Sequence, residues 1–513
     1  MFPTLDTGRP LLPQDSVVWR LWMPRNIYQD MLDKNKLFIF VFALLLIFSL
    51  YVRFSQLGYS TFYGDETKTL YFDKTVPALT FLFDQRKGPV QFLASWIMEK
   101  ISGGFDEFWI RLPFATAGLL SVLVFYILAR KFMNQWAALA SSFLYSFSGF
   151  SVAFSRTAQY QQFLLLFGLL GILLMFLSLE KNNRFLLIIS ALAFSISLLS
   201  HYDGIFYLLI GALLFFNHSN VNVTTIRKFV LFFIFPALIL SGLFYIPYLL
   251  NGYFESNSLS YLLRRVFGGA ESGIANSFYT VRIYNPLVLP FIVLMLSVFG
   301  LNNEKLPYRK IFFVWFIVPF ILFEFLTLNP GTHIFHYLVP LILIFGCYGQ
   351  LILTSGSAAF KIIGKLLIIF IIIAQVSVSI WMFVPHFKSN YPWRESRFMN
   401  LRFPKLDKKF QVFTYGFPYD RGFREIRDHL DSVEGIRGIY TNDNDVVAKY
   451  YFMKYDYTPP GPNFLPPYYV NVYNNHEQKD TPPDFLASYT LVKEFYVEGE
   501  LVSELYKLNA PED

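Results

Sequence analysis

The sequence predicts a polytopic α-helical membrane protein of about eleven spans that ends in an extracytoplasmic α/β domain, and three observations predict it. Of 513 residues, 54% are hydrophobic and only 15% are charged, where a soluble globular chain carries about a quarter. The apolar residues come in blocks of about 15–22, long enough to cross a hydrocarbon layer of ~30 Å. From residue 385 the composition changes, and short strand-like and helix-like segments alternate.

In chain order, residues 1–36 are mixed in character and form a cytoplasmic N-terminal segment. They are not a cleavable signal peptide, because no small-residue cleavage site follows the first apolar block. Within them, 16–33 carries Trp19 and Trp22 and is either an interfacial helix or an unstructured tail. Spans are expected at 37–54, 110–129, 135–153, 160–179, 185–200, 203–217, 229–250, 286–301, 311–328, 334–353 and 362–384. The break SHYDG (200–204) separates two spans that could otherwise be taken for one long helix.

Positive charge sets the orientation. With the N-terminus cytoplasmic, the short inner connections hold Arg130-Lys131, Lys181 and Arg184, Arg227-Lys228, Lys305 with Arg309-Lys310, and Lys361. The long connections 55–109 and 251–285 then lie outside, as does the tail. The membrane part is therefore 37–384 and the soluble part 385–513. In the tail, FQVFTY, IRGIYTN, PYYVNVYN and the pair SYTLVKEFYV/ELVSELYKL are expected strands, and FREIRDHLDS and DVVAKYYFMK expected helices.

Several function classes drop out. A net charge of +7 does not call for nucleic acid, and the single Cys347 excludes a disulfide framework or a Cys-based zinc site. There is no phosphate-binding Gly-rich loop. In NDND (442–445), Asp443-x-Asp445 has the spacing of a metal–diphosphate motif, but the position between a strand and a helix makes Asp445 an N-cap. Asn222 in NVT falls on the inner side. Glu324 lies within a span without an evident partner.

The chemistry-bearing residues gather in the outer connections. The run YGDETKTLYF sets Tyr63, Asp65 and Glu66 just past the first span. Lys87 precedes Gly88-Pro89, and Pro is favoured in a first helical turn, so Lys87 stands where free N–H groups already favour an anion. Arg156 and Tyr160, four apart, share a helical face. His201, the pair Arg264-Arg265, and His333 with His336 complete the set. Taken singly, each is more often a helix-end anchor; together, polar groups at one membrane face are a site hypothesis.

GDE after the first span, then KGP, then RLP opening the second, resembles the GT-C glycosyltransferases. The likeness is greatest to the bacterial aminoarabinose (lipid A) transferases and the protein O-mannosyltransferases. SRTAQYQQFLLLF and HIFHYLVPLIL are similar to two further segments of that family, and the likeness spans roughly 37–353. One departure is that the family's KPP is KGP here. The resemblance implies a GT-C membrane fold, with Asp65 as the catalytic carboxylate, Glu66 as its neighbour and Lys87 meeting the lipid phosphate. It implies Arg156, Arg264 and Arg265 near the donor phosphate; the outer-face placement adds Tyr63, Tyr160, His201, His333 and His336 as residues expected to line the cavity. No cofactor is expected; a second carboxylate would also suit a divalent metal, as in the oligosaccharyltransferases of this fold.

The residues fit that chemistry on their own terms. A sugar leaving a polyprenyl phosphate needs a base for the incoming acceptor and positive charge on the departing phosphate. One base and no carboxylate nucleophile imply a single, inverting displacement, with a polyprenyl-phosphate sugar as donor and a glycan, lipid or protein as acceptor. The alternatives are a lipid-linked oligosaccharide transferase of the same fold and, from another class, a lipid-linked sugar transporter. A transporter would place charges along a transmembrane path. The setting expected is a bacterial inner membrane.

Overall fold

The computed structural model describes residues 36–218, 222–267, 277–327, 332–406, 414–459, 465–474 and 481–509. The chain divides into two compact units, residues 1–48 and 49–513. The segment 16–33, residues 219–221 and the expected strand over 410–413 lie outside the described residues.

Every apolar block named above is helical: Lys36–Phe54, Glu107–Ala129, Gln135–Ser146 with Gly149–Ser155, Gln161–Lys181, Arg184–Ser200, Ile205–His218, Val223–Leu250, Val288–Asn302, Arg309–Leu326, Phe335–Ser355 and Ala358–Phe383. By length and composition six of these suffice to cross a membrane, and Gln135–Ser146 with Gly149–Ser155 makes a seventh if a 58° bend lies within one span. Arg184–Ser200, Tyr202–His218 and Leu289–Asn302 are apolar but shorter, so among the described residues six or seven helices, against the eleven expected, are long enough to span. At SHYDG the chain makes a single 3-10 turn, Tyr202–Gly204.

The 58° bend is held by Arg53, whose fully buried guanidinium donates to the hydroxyls of Ser146 (3.2 Å), Ser151 (2.9 Å) and Ser155 (3.1 Å) and to the Ser146 carbonyl. A guanidinium offers five donors in a fixed fork, so one side chain satisfies both sides of the break.

The tail forms a small antiparallel pair, β1 (Ser396–Phe398) with β2 (Leu401–Phe403), and a four-stranded sheet. The sheet strands are β3 (Ile439–Thr441), β4 (Tyr468–Val472), β5 (Tyr489–Val497) and β6 (Glu500–Leu508), ordered β3-β4-β6-β5. Among the described strands, β3 and β4 pair in parallel and the others antiparallel. The helices Phe423–Asp431 and Asp445–Phe452 pack on this sheet through Phe423, Ile426, Leu430, Val447 and Phe452. The same core takes in Phe62, Ile110 and Phe114. The cap of Asp445–Phe452 is Asn444, which accepts from the N–H groups of Val446 and Val447; Asp445 is one residue inside. Asp443 is instead buried beside the Arg421 guanidinium at 2.9 Å.

Candidate active site

The stretch after the first helix makes a four-residue turn of helix, Gly64–Thr67. Glu66 is its anchor. Its side chain is buried, accepts the Tyr63 N–H (2.8 Å) and the Ala158 N–H (2.7 Å), and takes Arg111 by both oxygens at 2.8 Å. Arg111 also donates to the carbonyls of Leu57, Ser60 and Thr61. A bidentate guanidinium–carboxylate pair has a fixed geometry as well as strength, so this pair sets the path of the whole turn. Both groups are buried, and Arg111→Met would strand the Glu66 charge. The expected cost is about 3–5 kcal/mol of stability, read as a lower unfolding midpoint of the detergent-solubilised protein; Glu66→Gln with Arg111→Met should recover part of it.

Asp65, one residue earlier, remains partly accessible. Its Oδ1 accepts from Lys68 (2.7 Å), and its Oδ2 accepts from Lys87 (3.1 Å) and from the Tyr415 hydroxyl (3.1 Å). Burial by itself would raise the Asp65 carboxyl, but Lys87 and Lys68 outweigh it and hold the group well below the usual carboxylate range. On Lys87 the balance runs the other way: burial lowers the ammonium more than Asp65 raises it. Burial, then the Asp65 charge, pushes the Tyr415 hydroxyl far up, so it stays a proton donor.

Lys87 is set by the turn after it. Gly88 has φ +115°, and Pro89 opens the helix Pro89–Ser102. The Lys87 ammonium lies 5.3 Å from the Tyr160 ring centroid, and that ring stacks on His201 at 4.0 Å. Behind them His201, Asp203, His333 and His336 form one buried cluster. Asp203 Oδ2 meets His333 Nδ1 and His336 Nε2, the latter at 2.9 Å.

Thus Asp65, Lys87, Tyr160, His201, His333 and His336 form a continuous series of contacts. Tyr63 packs against Tyr415 (4.8 Å between centroids) and shares a hydrogen bond with Thr414. Beside it a cavity is lined by Tyr63, Arg111, Arg156, Trp393, Tyr419 and Arg421. Arg156 is buried on that cavity and donates to the carbonyls of Val52 (3.0 Å) and Ser55 (2.9 Å). Among the described residues no carboxylate lies within ion-pair distance of it. Arg264 and Arg265 fall in the helix Ser260–Phe267, but their side chains lie outside the described ones. Glu324 has a partner, the Tyr337 hydroxyl at 2.8 Å.

Three contributors fall outside the set of site residues expected from sequence. Asp203 and Arg111 carry a signal, in HYD and in RLP. Tyr415 carries none, since only the packing of the tail brings it to Asp65.

Residues 86–249 match the family model described as dolichyl-phosphate-mannose-protein mannosyltransferase, a narrower stretch than the 37–353 over which motifs were seen. Comparison with curated proteins finds no sequence match. Among solved structures, ArnT from Cupriavidus metallidurans in the apo state is 13% identical with TM-score 0.54, covering 91% of this chain and 97% of that one. The same protein bound to undecaprenyl phosphate is 12% identical with TM-score 0.56, covering 92% and 98%. The Archaeoglobus fulgidus oligosaccharyltransferase is 10% identical with TM-score 0.49, covering 86% and 70%. With helices and tail aligned over nearly the full length of ArnT, this chain has the GT-C membrane fold.

Proposed function

We propose that this protein transfers a sugar, with inversion, from a polyprenyl-phosphate donor to an acceptor at the extracytoplasmic face of a cell membrane. The observation that carries the reading is the partly accessible Asp65 carboxylate held against the Lys87 ammonium. The matched family's description names a dolichyl-phosphate sugar, and one ArnT structure holds undecaprenyl phosphate; both support a lipid phosphate as the carrier here.

In this reading Asp65 accepts the acceptor's proton as the new bond to the sugar's anomeric carbon forms. The bond from that carbon to the phosphate oxygen breaks, and polyprenyl phosphate departs carrying negative charge that Lys87 meets. The ion pair has a further consequence. While Lys87 faces Asp65, the carboxylate is a weak base; a donor phosphate that engages Lys87 removes part of that counter-charge, and Asp65 becomes more basic once the donor is bound. Glu66 and Arg111 act as positioning residues. Arg156, Arg264 and Arg265 stand as further phosphate contacts. Trp393 and Tyr419, packed ring on ring at 4.7 Å, line the cavity through which we route a glycan, lipid or protein acceptor.

The test is release of polyprenyl phosphate from a panel of radiolabelled polyprenyl-phosphate sugars by purified protein. Release that depends on Lys87 supports the reading, and binding without turnover across donors and acceptors would return the transporter.

The pH profile gives a second check. Asp65 is lowered in the free protein, so it stays ionised as pH falls and activity persists below the ordinary carboxylate range of about 3.9. The acid limb of kcat/KM should therefore lie below that range. In Lys87→Gln, with the larger of its two counter-charges gone, the limb should move up. Coincident limbs in the two proteins would show that Asp65 is not the group titrating.

A further inference from the structure

We propose that His201, Asp203 and His333 bind a divalent d-block cation, Zn²⁺ by preference, at a site separate from Asp65. The three residues are buried, and one ligand atom from each lies within 4.8 Å of the other two. The inference stands independently of the transferase reading.

The geometry of the cluster carries the argument. His201 Nδ1 accepts the Asp203 backbone N–H at 3.2 Å, and an imidazole nitrogen that accepts an N–H has no proton of its own. The same Nδ1 lies 3.3 Å from Asp203 Oδ1. A cation held by the two atoms would take the Nδ1 lone pair in place of the Asp203 N–H. Ligand atoms on a tetrahedral ion with bonds of ~2.0 Å stand ~3.3 Å apart, which is this separation.

Charge points the same way. Asp203 is buried, and among the described residues its ion-pair contacts are all imidazoles, with no Lys or Arg within reach. Burying a carboxylate among neutral groups is costly, and a bound cation would supply its counter-charge. Two imidazoles and a carboxylate form a set suited to Zn²⁺, with a fourth position free. His336 completes the surround: its Nε2 donates to Asp203 Oδ2, the kind of outer contact that orients a ligating carboxylate, and its buried Nδ1 has no hydrogen-bond partner. The ion would tie the turn 202–204 to the start of the helix Phe335–Ser355. Through the Tyr160 ring stacked on His201 it would brace Lys87.

The experiment uses full-length protein in detergent, purified without immobilised metal, stripped with EDTA and dialysed against Zn²⁺, with Mg²⁺ and Mn²⁺ in parallel. Elemental analysis should give about one Zn²⁺ per chain and X-ray absorption an imidazole-containing shell at ~2.0–2.1 Å. Asp203→Asn and His333→Gln should each lower occupancy at least tenfold, and Asp65→Asn should leave it intact. Wild-type protein that takes up no Zn²⁺ overturns the proposal, as it would if a protonated imidazole alone neutralised Asp203. So does a shell without imidazole, which holds even where a variant fails to fold. Retention in Asp203→Asn, or loss in Asp65→Asn, overturns it equally.

Discussion

Asp65→Asn should lower kcat by about 10²–10⁴-fold, the usual contribution of a positioned general base, while donor binding is kept or tightened. The two halves have one cause. Asp65 is the carboxylate that leaves the Lys87 ammonium partly engaged before the donor arrives, so the amide removes the proton acceptor and frees the cation together. Folding should be unaffected, because the residue is partly accessible and the anchor of the turn is Glu66, with its four hydrogen bonds from Tyr63, Ala158 and Arg111. Single-turnover transfer and equilibrium binding of the same labelled donor separate the two effects. Unchanged kcat would remove Asp65 from the chemistry and leave it a loop carboxylate paired with two lysines.

Tyr415 sharpens the comparison. Its hydroxyl donates to the same Asp65 oxygen as Lys87, and its raised pKa keeps the proton on the phenol. Tyr415→Phe removes one neutral donor and no charge, so its effect on kcat should be smaller than that of Asp65→Asn. Activity lost equally in both would mean that the tail, through Tyr415, contributes more than orientation.

How much of this was legible in the sequence follows from the range of each interaction. Runs such as LFIFVFALLLIF declare a helix locally, because a backbone in hydrocarbon must satisfy its own hydrogen bonds, and each expected block is helical. The bend after Ser146 was not legible: it depends on Arg53, far away in the chain, finding Ser151 and Ser155. Asp65 and Lys87 could be singled out because adjacent charges beside apolar runs are conspicuous. Which of Asp65 and Glu66 stays accessible could not be read, since it turns on Arg111 selecting Glu66. The capping residue of the helix at 445 was displaced by one position because Asn and Asp cap about equally well. The tail's hairpin over 489–508 shows the alternation that a half-buried pair requires, whereas the three-residue strands β1 and β2 are too short to leave a pattern.

The departure from KPP to KGP at residues 87–89 leads to the second large effect. Gly88 sits at φ +115°, and a Cβ there would stand well under 3.0 Å from the Leu199 carbonyl oxygen. Proline fixes φ near −65°, so Gly88→Pro cannot adopt this turn, and even Gly88→Ala must move against backbone. Non-glycine residues in such regions cost of order 1–3 kcal/mol. Either variant should relieve the clash by shifting the chain that aims Lys87, not by shifting the packed helix Arg184–Ser200. The expected result is a rise in donor KM of about tenfold or more for Gly88→Ala, each 1.4 kcal/mol being worth a factor of ten, and a larger one for Gly88→Pro. Unfolding midpoints should fall less than in Arg111→Met, since the Glu66 pair stays intact. A proline at this position would thus impair this protein: its turn passes beneath the Leu199 carbonyl, in space that only a glycine leaves free. A Gly88→Pro protein with unaltered donor KM would show that Lys87 finds the phosphate without this turn, and that the Asp65–Lys87 contact is not what positions it.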